Sequence, residues 1–452
     1  MDMKHQCEEL KGRLDELDWV TAPIHIKRLS KDFFWFSPIL NEQLTGKKAD
    51  IAVKPRTHLE IEALVRECVN LDMPLTVRGG GTANYGQSVP LHGGVIMDTT
   101  NFNQIKWLKD GVVCVEPGIK IGELETAVRE HGYELRCMPS TYKTATIGGM
   151  FSGGFGGIGS INYGPLAAPG TVLGIKLMTI ESEPKTLTFR GEDALTYNHT
   201  YGTNGIITEM EIALAPAREW NEWMFTFNSL ESAYQFAHKL AYSTGIEKRN
   251  VALFDSKNAN YFPHGEKLAT GDYLVIALCT SAAEEPLNAL LKSCGGHVHW
   301  YQNAEQASAT DETLMECCWN HSTLQALKYD KSLTHLQTGY DAHRVVEQLQ
   351  EMLQLAPAEV GIHLEFIKTS DGEPMITGLP LIQYQSAERL KELMAIHESV
   401  GIHINDSHVF TLEDGKHGGS LNQNIINSMF ENDPHHLLNL GKVRTRVKKE
   451  AI

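Results

Sequence analysis

Arg78-Gly-Gly-Gly-Thr82, Thr146-Ile-Gly-Gly149 with glycines continuing to Gly159, and Gly202-Thr-Asn-Gly-Ile-Ile207 follow one another between residues 78 and 207. Together they read as three walls of one dinucleotide site. In the first, Leu75-Thr-Val77 is a short β run. The glycines after Arg78 then let the backbone turn through positive φ. Successive N–H groups in such a turn point into one concavity, an anion nest suited to a diphosphate. Asn84, Tyr85 and Gly86 continue the loop toward the next strand, Val95-Ile-Met-Asp98. A tight turn between strands is the plainer reading of this loop alone, so the other two segments carry weight.

Neither common phosphate loop is present. A Walker loop needs Gly-x-x-x-x-Gly-Lys-Ser/Thr opening a helix. A Rossmann fingerprint needs Gly-x-Gly-x-x-Gly between a strand and a helix, whereas polar loop and another strand follow Gly81. The nucleotide is therefore expected to be held by loops between strands, without a helix N-terminus. Hydride transfer through a nicotinamide loses weight.

From Thr144 to Ile175 no side chain is charged, yet seven glycines fall between Gly148 and Gly159. So much glycine, with Pro165 and Pro169 beyond it, argues against a membrane helix. It fits a backbone pressed against something flat, such as a flavin ring, or tight strand packing. In the third segment Ile206, Thr208, Met210, Ile212 and Leu214 alternate with their neighbours, the period of a strand. A hairpin is predicted upstream, from Leu173–Ile180 to Lys185–Phe189 around Glu183-Pro184.

Val77-Arg-Gly-Gly-Gly-Thr82, Ala145-Thr-Ile-Gly-Gly149 with Ser152-Gly-Gly-Phe-Gly156, and Gly205-Ile-Ile-Thr-Glu209 resemble the FAD-binding domain of the vanillyl-alcohol oxidase family, the FAD-linked oxidases of p-cresol methylhydroxylase type. Ala49-Asp-Ile-Ala-Val-Lys-Pro55 is similar to the family's opening strand. Asp433-Pro-His-His-Leu-Leu-Asn-Leu-Gly-Lys442 resembles its closing tail, with Leu440 where a proline is usual. The resemblance covers residues 45–217 and 430–445. It implies an extended FAD beneath a second domain that varies within the family. It would place Arg78, Gly79, Gly80, Gly81, Thr82, Asn84 and Tyr85 around the diphosphate. Pro139, Ser140, Thr146, Gly149, Ser152 and Gly153 would lie at the ribityl chain and ring, and Gly205 and Ile207 would meet the cofactor through main chain. Members that link FAD through histidine or cysteine carry those residues where Thr82 and Tyr142 stand here. The FAD is therefore expected to be noncovalent at these two places, with a link through a second-domain histidine left open.

The chain has 452 residues and a net charge of −16, enough for two or three domains. That charge argues against nucleic acid or an anionic membrane as partner. Lys442 to Lys449 is a basic exception, read as a solvated tail. Lys4, Glu8, Glu9, Lys11 and Arg13 interrupt any apolar N-terminal run, against a secretory signal. Eight cysteines without metal-type spacing read as reduced thiols in the cytoplasm, and adjacent Cys317 and Cys318 as small buried residues.

Thr57-His-Leu-Glu60 is a capping box, followed by an apolar helical face from Ile61 to Val69. After Pro216 the strands Trp223–Phe227, Tyr273–Thr280 and Gly361–Lys368 alternate with helices Leu230–Tyr242 and Glu284–Lys292. The expected architecture is α+β: a two-subdomain FAD-binding domain plus a ferredoxin-like α/β cap. The expected boundaries are 1–44 (helical), 45–217 (FAD), 218–398 (cap) and 399–452 (return to the FAD domain).

The flavin performs the redox step, so the protein must hold the ring and handle one substrate proton. Histidine does this near neutral pH. Two places stand out. On Gly361-Ile-His-Leu-Glu-Phe366, His363 and Glu365 share a face opposite Ile362, Leu364 and Phe366. In Ile404-Asn-Asp-Ser-His-Val-Phe-Thr-Leu-Glu-Asp414, His408 and Glu413 are the best bases. No metal is expected: His297-Val-His299 lacks a third ligand, and the His-x-Gly-Asp-Gly-Asn-x-His of some hydroxy-acid oxidases is missing. The expected function is hydride transfer from a small alcohol or hydroxy-acid-like substrate to FAD. Oxygen, a quinone or a protein is the open choice of electron acceptor. A flavoprotein of electron transfer or redox sensing, and a flavin reductase of cell-wall precursor synthesis using NADPH, are the competing readings.

Overall fold

The computed structural model describes residues 2–265, 268–310, 312–415 and 420–444. Ile51–Val53, Val95–Asp98 and Leu75–Arg78 pair in parallel, with Trp19–Val20 antiparallel at the edge. Parallel neighbours need a crossover, and helix His58–Asn70 supplies one. Thr57 Oγ1 accepts the Glu60 N–H as the capping box predicts, but the Glu60 carboxylate answers the Arg56 N–H instead. Ile61, Leu64, Val65 and Cys68 bury the predicted face against Leu75 and Val95.

In the second sheet Val172–Met178 and Thr186–Arg190 form the predicted hairpin, and Ile206–Pro216 lies between Val172–Met178 and Val112–Val115. The two sheets leave the glycine segments between them. The closing tail ties onto the first sheet. Leu437 and Leu438 enter its core, Leu75 N–H donates to Leu437 O, and the Asp433 carboxylate receives the N–H groups of both leucines. Lys442 corrects the reading of a solvated tail: its side chain is wholly buried. Arg444 is exposed and pairs with Asp414 at 2.8 Å, and residues 445–449 of that basic run lie outside the described residues.

The cap is built on an antiparallel sheet of eight strands, wider than a single ferredoxin-like unit, with a three-stranded sheet of Leu333–His335, Leu381–Gln383 and Val360–Gly361 beside it. The order of the eight is His297–Gln302, Asn221–Phe227, Tyr273–Cys279, Lys248–Asp255, His363–Lys368, Pro374–Gly378, Gln337–Tyr340 and His403–Asn405. Strand alternation divides this sheet between two cores. Phe225, Val251, Leu253 and Val275 pack with helices Leu230–Tyr242 and Val345–Leu355. Met224, Ala252, Phe254 and Ile276 share a core with Val115, Phe151 and Ile158 of the N-terminal half. That face carries His363 and Glu365, which pair in register with Phe254 and Ala252. Among the described residues no helix is long and apolar enough to cross a membrane.

Candidate functional site

The three glycine segments meet at one cleft. Gly79, Gly80, Gly81 and Thr82 form one wall, Thr146, Gly149, Ser152 and Gly153 a second, Gly205 and Ile207 a third. The first two walls are in backbone contact, since a Cβ on Gly80 would lie 2.1 Å from the Thr144 carbonyl oxygen. Gly81 has φ +66° and covers the Arg78 guanidinium, which a Cβ there would strike at about 2 Å. Arg78 therefore sits beneath the nest. It donates to the Lys31 carbonyl (2.6 Å) and Ser88 Oγ (3.4 Å). Burial lowers its pKa, while Asp98 and Asp32 oppose the fall.

The second segment corrects the expectation of loops alone. Ile147–Gly153 is a short helix, and its N-cap Thr146 accepts the Gly149 N–H at 3.2 Å while lining the cleft. The capping signal was legible as threonine before Ile-Gly-Gly, but two glycines in a first turn hid the helix. Sequence reading also passed over Gln87, Ser88, Thr99, Pro117 and Tyr201, which complete the lining. They belong to ordinary strand ends and turns, and only their convergence marks them.

Five expected cofactor residues lie outside the lining. Arg78 is the floor described above. Asn84 Nδ2 lies 3.4 Å from His335 Nε2, and the Tyr85 hydroxyl accepts from the Gln337 amide, so both turn toward the cap. Ser140 is buried, and the Pro139 carbonyl accepts the Tyr142 N–H at 3.1 Å.

The candidate bases are buried too. His363 Nε2 meets Glu365 Oε1 at 3.0 Å and its Nδ1 meets Ser322 Oγ at 3.0 Å. Glu365 also receives the Trp319 N–H (2.7 Å) and Asn250 Nδ2 (3.2 Å). Trp319 stands at φ +52°, uncommon for a residue with a side chain. Bonds to its N–H, its carbonyl and its indole nitrogen fix it there. Its ring edge lies against Gly156, joining the cap to the glycine segment. His408 bridges Ser37 Oγ (2.7 Å) and the His335 carbonyl (2.9 Å). Burial lowers its pKa, though Asp406 pulls the other way. His335 beside it is pushed down to about 3 by burial, with repulsion from His408 and His363. Glu413 is 3% exposed. His299 Nε2 lies 2.7 Å from the His264 carbonyl. Among the described residues no group of three or more His, Cys, Asp or Glu side chains is placed to hold a metal.

The cleft suits FAD. Its lining is main chain, hydroxyl and amide with apolar side chains such as Val77, Pro117 and Ile206, and no carboxylate, over a buried guanidinium. That donor set favours a diphosphate.

Comparison with known proteins agrees. Residues 49–187 match the family described as FAD binding domain. The D-lactate dehydrogenase of Archaeoglobus fulgidus is 26% identical over 192 residues, 40% of this chain and 43% of that protein. The mitochondrial D-2-hydroxyglutarate dehydrogenase of Rattus norvegicus is 27% identical over 175 residues, 37% of this chain and 32% of that one. The glycolate oxidase subunit GlcD of Bacillus subtilis is 26% identical over 243 residues, 52% and 49%. These matches span from a third to a half of the curated relatives. A solved alkyldihydroxyacetonephosphate synthase superposes over 98% of this chain and 85% of its own, with TM-score 0.74 at 15% identity, a likeness of fold. Residues 49–187 are thus an FAD-binding domain, and the chain is similar in sequence to FAD-linked oxidoreductases.

Proposed function

We propose that the protein is an FAD-dependent oxidoreductase acting on a small 2-hydroxy acid. The convergence of three glycine segments on one carboxylate-free cleft carries the cofactor half of this reading. The hydroxy-acid names of the curated relatives support the substrate half. Bound FAD would supply a two-electron acceptor. Thr82, Ser88 and the main chain at Gly79 to Gly81 would hold its diphosphate, with Thr146, Ser152, Gly153 and Gly205 along the rest. Residues 218–398, with the strand His403–Asn405 added at the sheet edge, would form the cap, with the His363 face as roof. The proton-handling groups would be His408, His363 and Glu413. His408 would reach substrate through Ser37 Oγ, and His363 would act through Ser322 and Glu365. Eight unpaired, buried cysteines support a cytoplasmic setting.

The test is anaerobic titration of the yellow protein with D-lactate, glycolate and D-2-hydroxyglutarate. Bleaching of the visible flavin band by one of them is expected. Bleaching by dithionite alone would favour a flavoprotein without turnover. Mixing the reduced protein with oxygen then separates oxidase from dehydrogenase.

A further inference from the structure

A second cation, contributed by the far end of the chain, is buried behind the loop that carries Gln87 and Ser88 of the cleft wall. The Lys442 ammonium donates to the Gly86 carbonyl, two residues before Ser88 of the cleft wall. It lies 5.5 Å from the Phe410 ring centroid. One carboxylate, Asp32, faces it, held by the N–H groups of Phe34 (3.0 Å) and Ser88 (3.5 Å). Asp32 also faces Arg78 and Tyr201. Beyond Arg78 stand Arg28 and Asp98, the latter paired with Lys54 at 3.3 Å. The His92 ring lies against Gly441. Lys442 and Arg78 thus both face Asp32 behind the wall that carries Ser88. A buried ammonium is costly without compensation. Burial brings Lys442 down to about 7 and pushes Asp32 up to about 6.

We propose that Lys442 is the titrating cation of the FAD site, protonated when the diphosphate occupies the nest and free to lose its proton otherwise. Binding FAD therefore takes up a proton. The inference requires FAD in the cleft and nothing about the substrate. The sign follows from charge: a dinegative ligand nearby favours the ammonium and raises its pKa. FAD affinity should then fall about tenfold per pH unit above neutrality and level off below it.

Calorimetric titration of the apoprotein with FAD, in phosphate and in Tris at about pH 8, gives the proton number from the difference in heats. Uptake approaching one proton per FAD is expected there, and much less at about pH 5, where Lys442 is already charged. Lys442→Arg should bind FAD with no uptake, because its charge does not titrate. Lys442→Met should bind more weakly, also with no uptake, and Asp32→Asn should retain it. Equal heats in the two buffers for the native protein overturn the proposal. Uptake that survives Lys442→Arg overturns it too. A protein that binds no FAD at all overturns the cofactor assignment as well, whereas bound FAD without hydroxy-acid turnover leaves this inference standing.

Discussion

The glycine cleft and the His363 network of the cap both keep polar groups away from water, by opposite means. The cleft presents main chain, hydroxyls and amides over a cationic floor, a surface organised for a ligand. In the cap, Glu365 receives Trp319, Asn250 and His363, and Ser322 closes the ring through His363 Nδ1 and the Trp319 carbonyl. Such a network stiffens a fold when every member is paired and fails sharply when one is lost. A buried histidine and glutamate on the face toward the N-terminal half can therefore serve as architecture, fixing the tryptophan that touches Gly156.

The hardest blow to the cap side is Glu365→Ala. It leaves three buried donors without an acceptor and should cost about 3–5 kcal/mol, read as a fall in melting temperature. Next comes the cleft. Gly80→Val drives a branched side chain into the Thr144 carbonyl and should cost about 1–3 kcal/mol together with loss of bound FAD. Stoichiometric FAD in that variant would show that the walls need not touch.

A third change tests the contrast by pH. Asp255, at the end of a cap strand, is pushed up to about 6 by burial, against hydrogen bonds from backbone N–H groups. A raised folded pKa means that its contribution is full below the unfolded value of about 3.9 and is lost as pH rises through about 6. Asp255→Asn keeps the cap on the Asn258 N–H. It should match the parent near pH 4 and exceed it by about 1–3 kcal/mol near pH 8, measured by denaturant unfolding at both. A variant less stable at the higher pH would show the carboxylate to be compensated. The smallest effect is expected from Thr146→Val, which removes the cap of the cleft helix at about 1 kcal/mol. The test is whether FAD affinity drops more than global stability does, as a cap that also lines the site requires.

The FAD domain was more legible than the cap because its constraint is local. A backbone that must turn through positive φ or touch another backbone leaves glycine in the sequence, as at Gly80 and Gly81. The helix Ile147–Gly153 escaped because glycine is a poor helix former and the helix is short. In the cap, alternation placed His363 and Glu365 on one face correctly. What each touches depends on Trp319, Asn250 and Ser322, from other segments. Lys442 was misread for the same reason: a run of basic residues looks solvated until the fold buries its first member.

The cofactor class, the α+β arrangement and the order of the three walls could be read from the chain, since each follows from steric rules acting within a few residues. Which walls meet, that Asn84 and Tyr85 turn toward the cap, and that Lys442 is buried against the Gly86 carbonyl emerged only on folding. Those outcomes rest on contacts between residues tens to hundreds of positions apart, whose burial and charge no local pattern encodes.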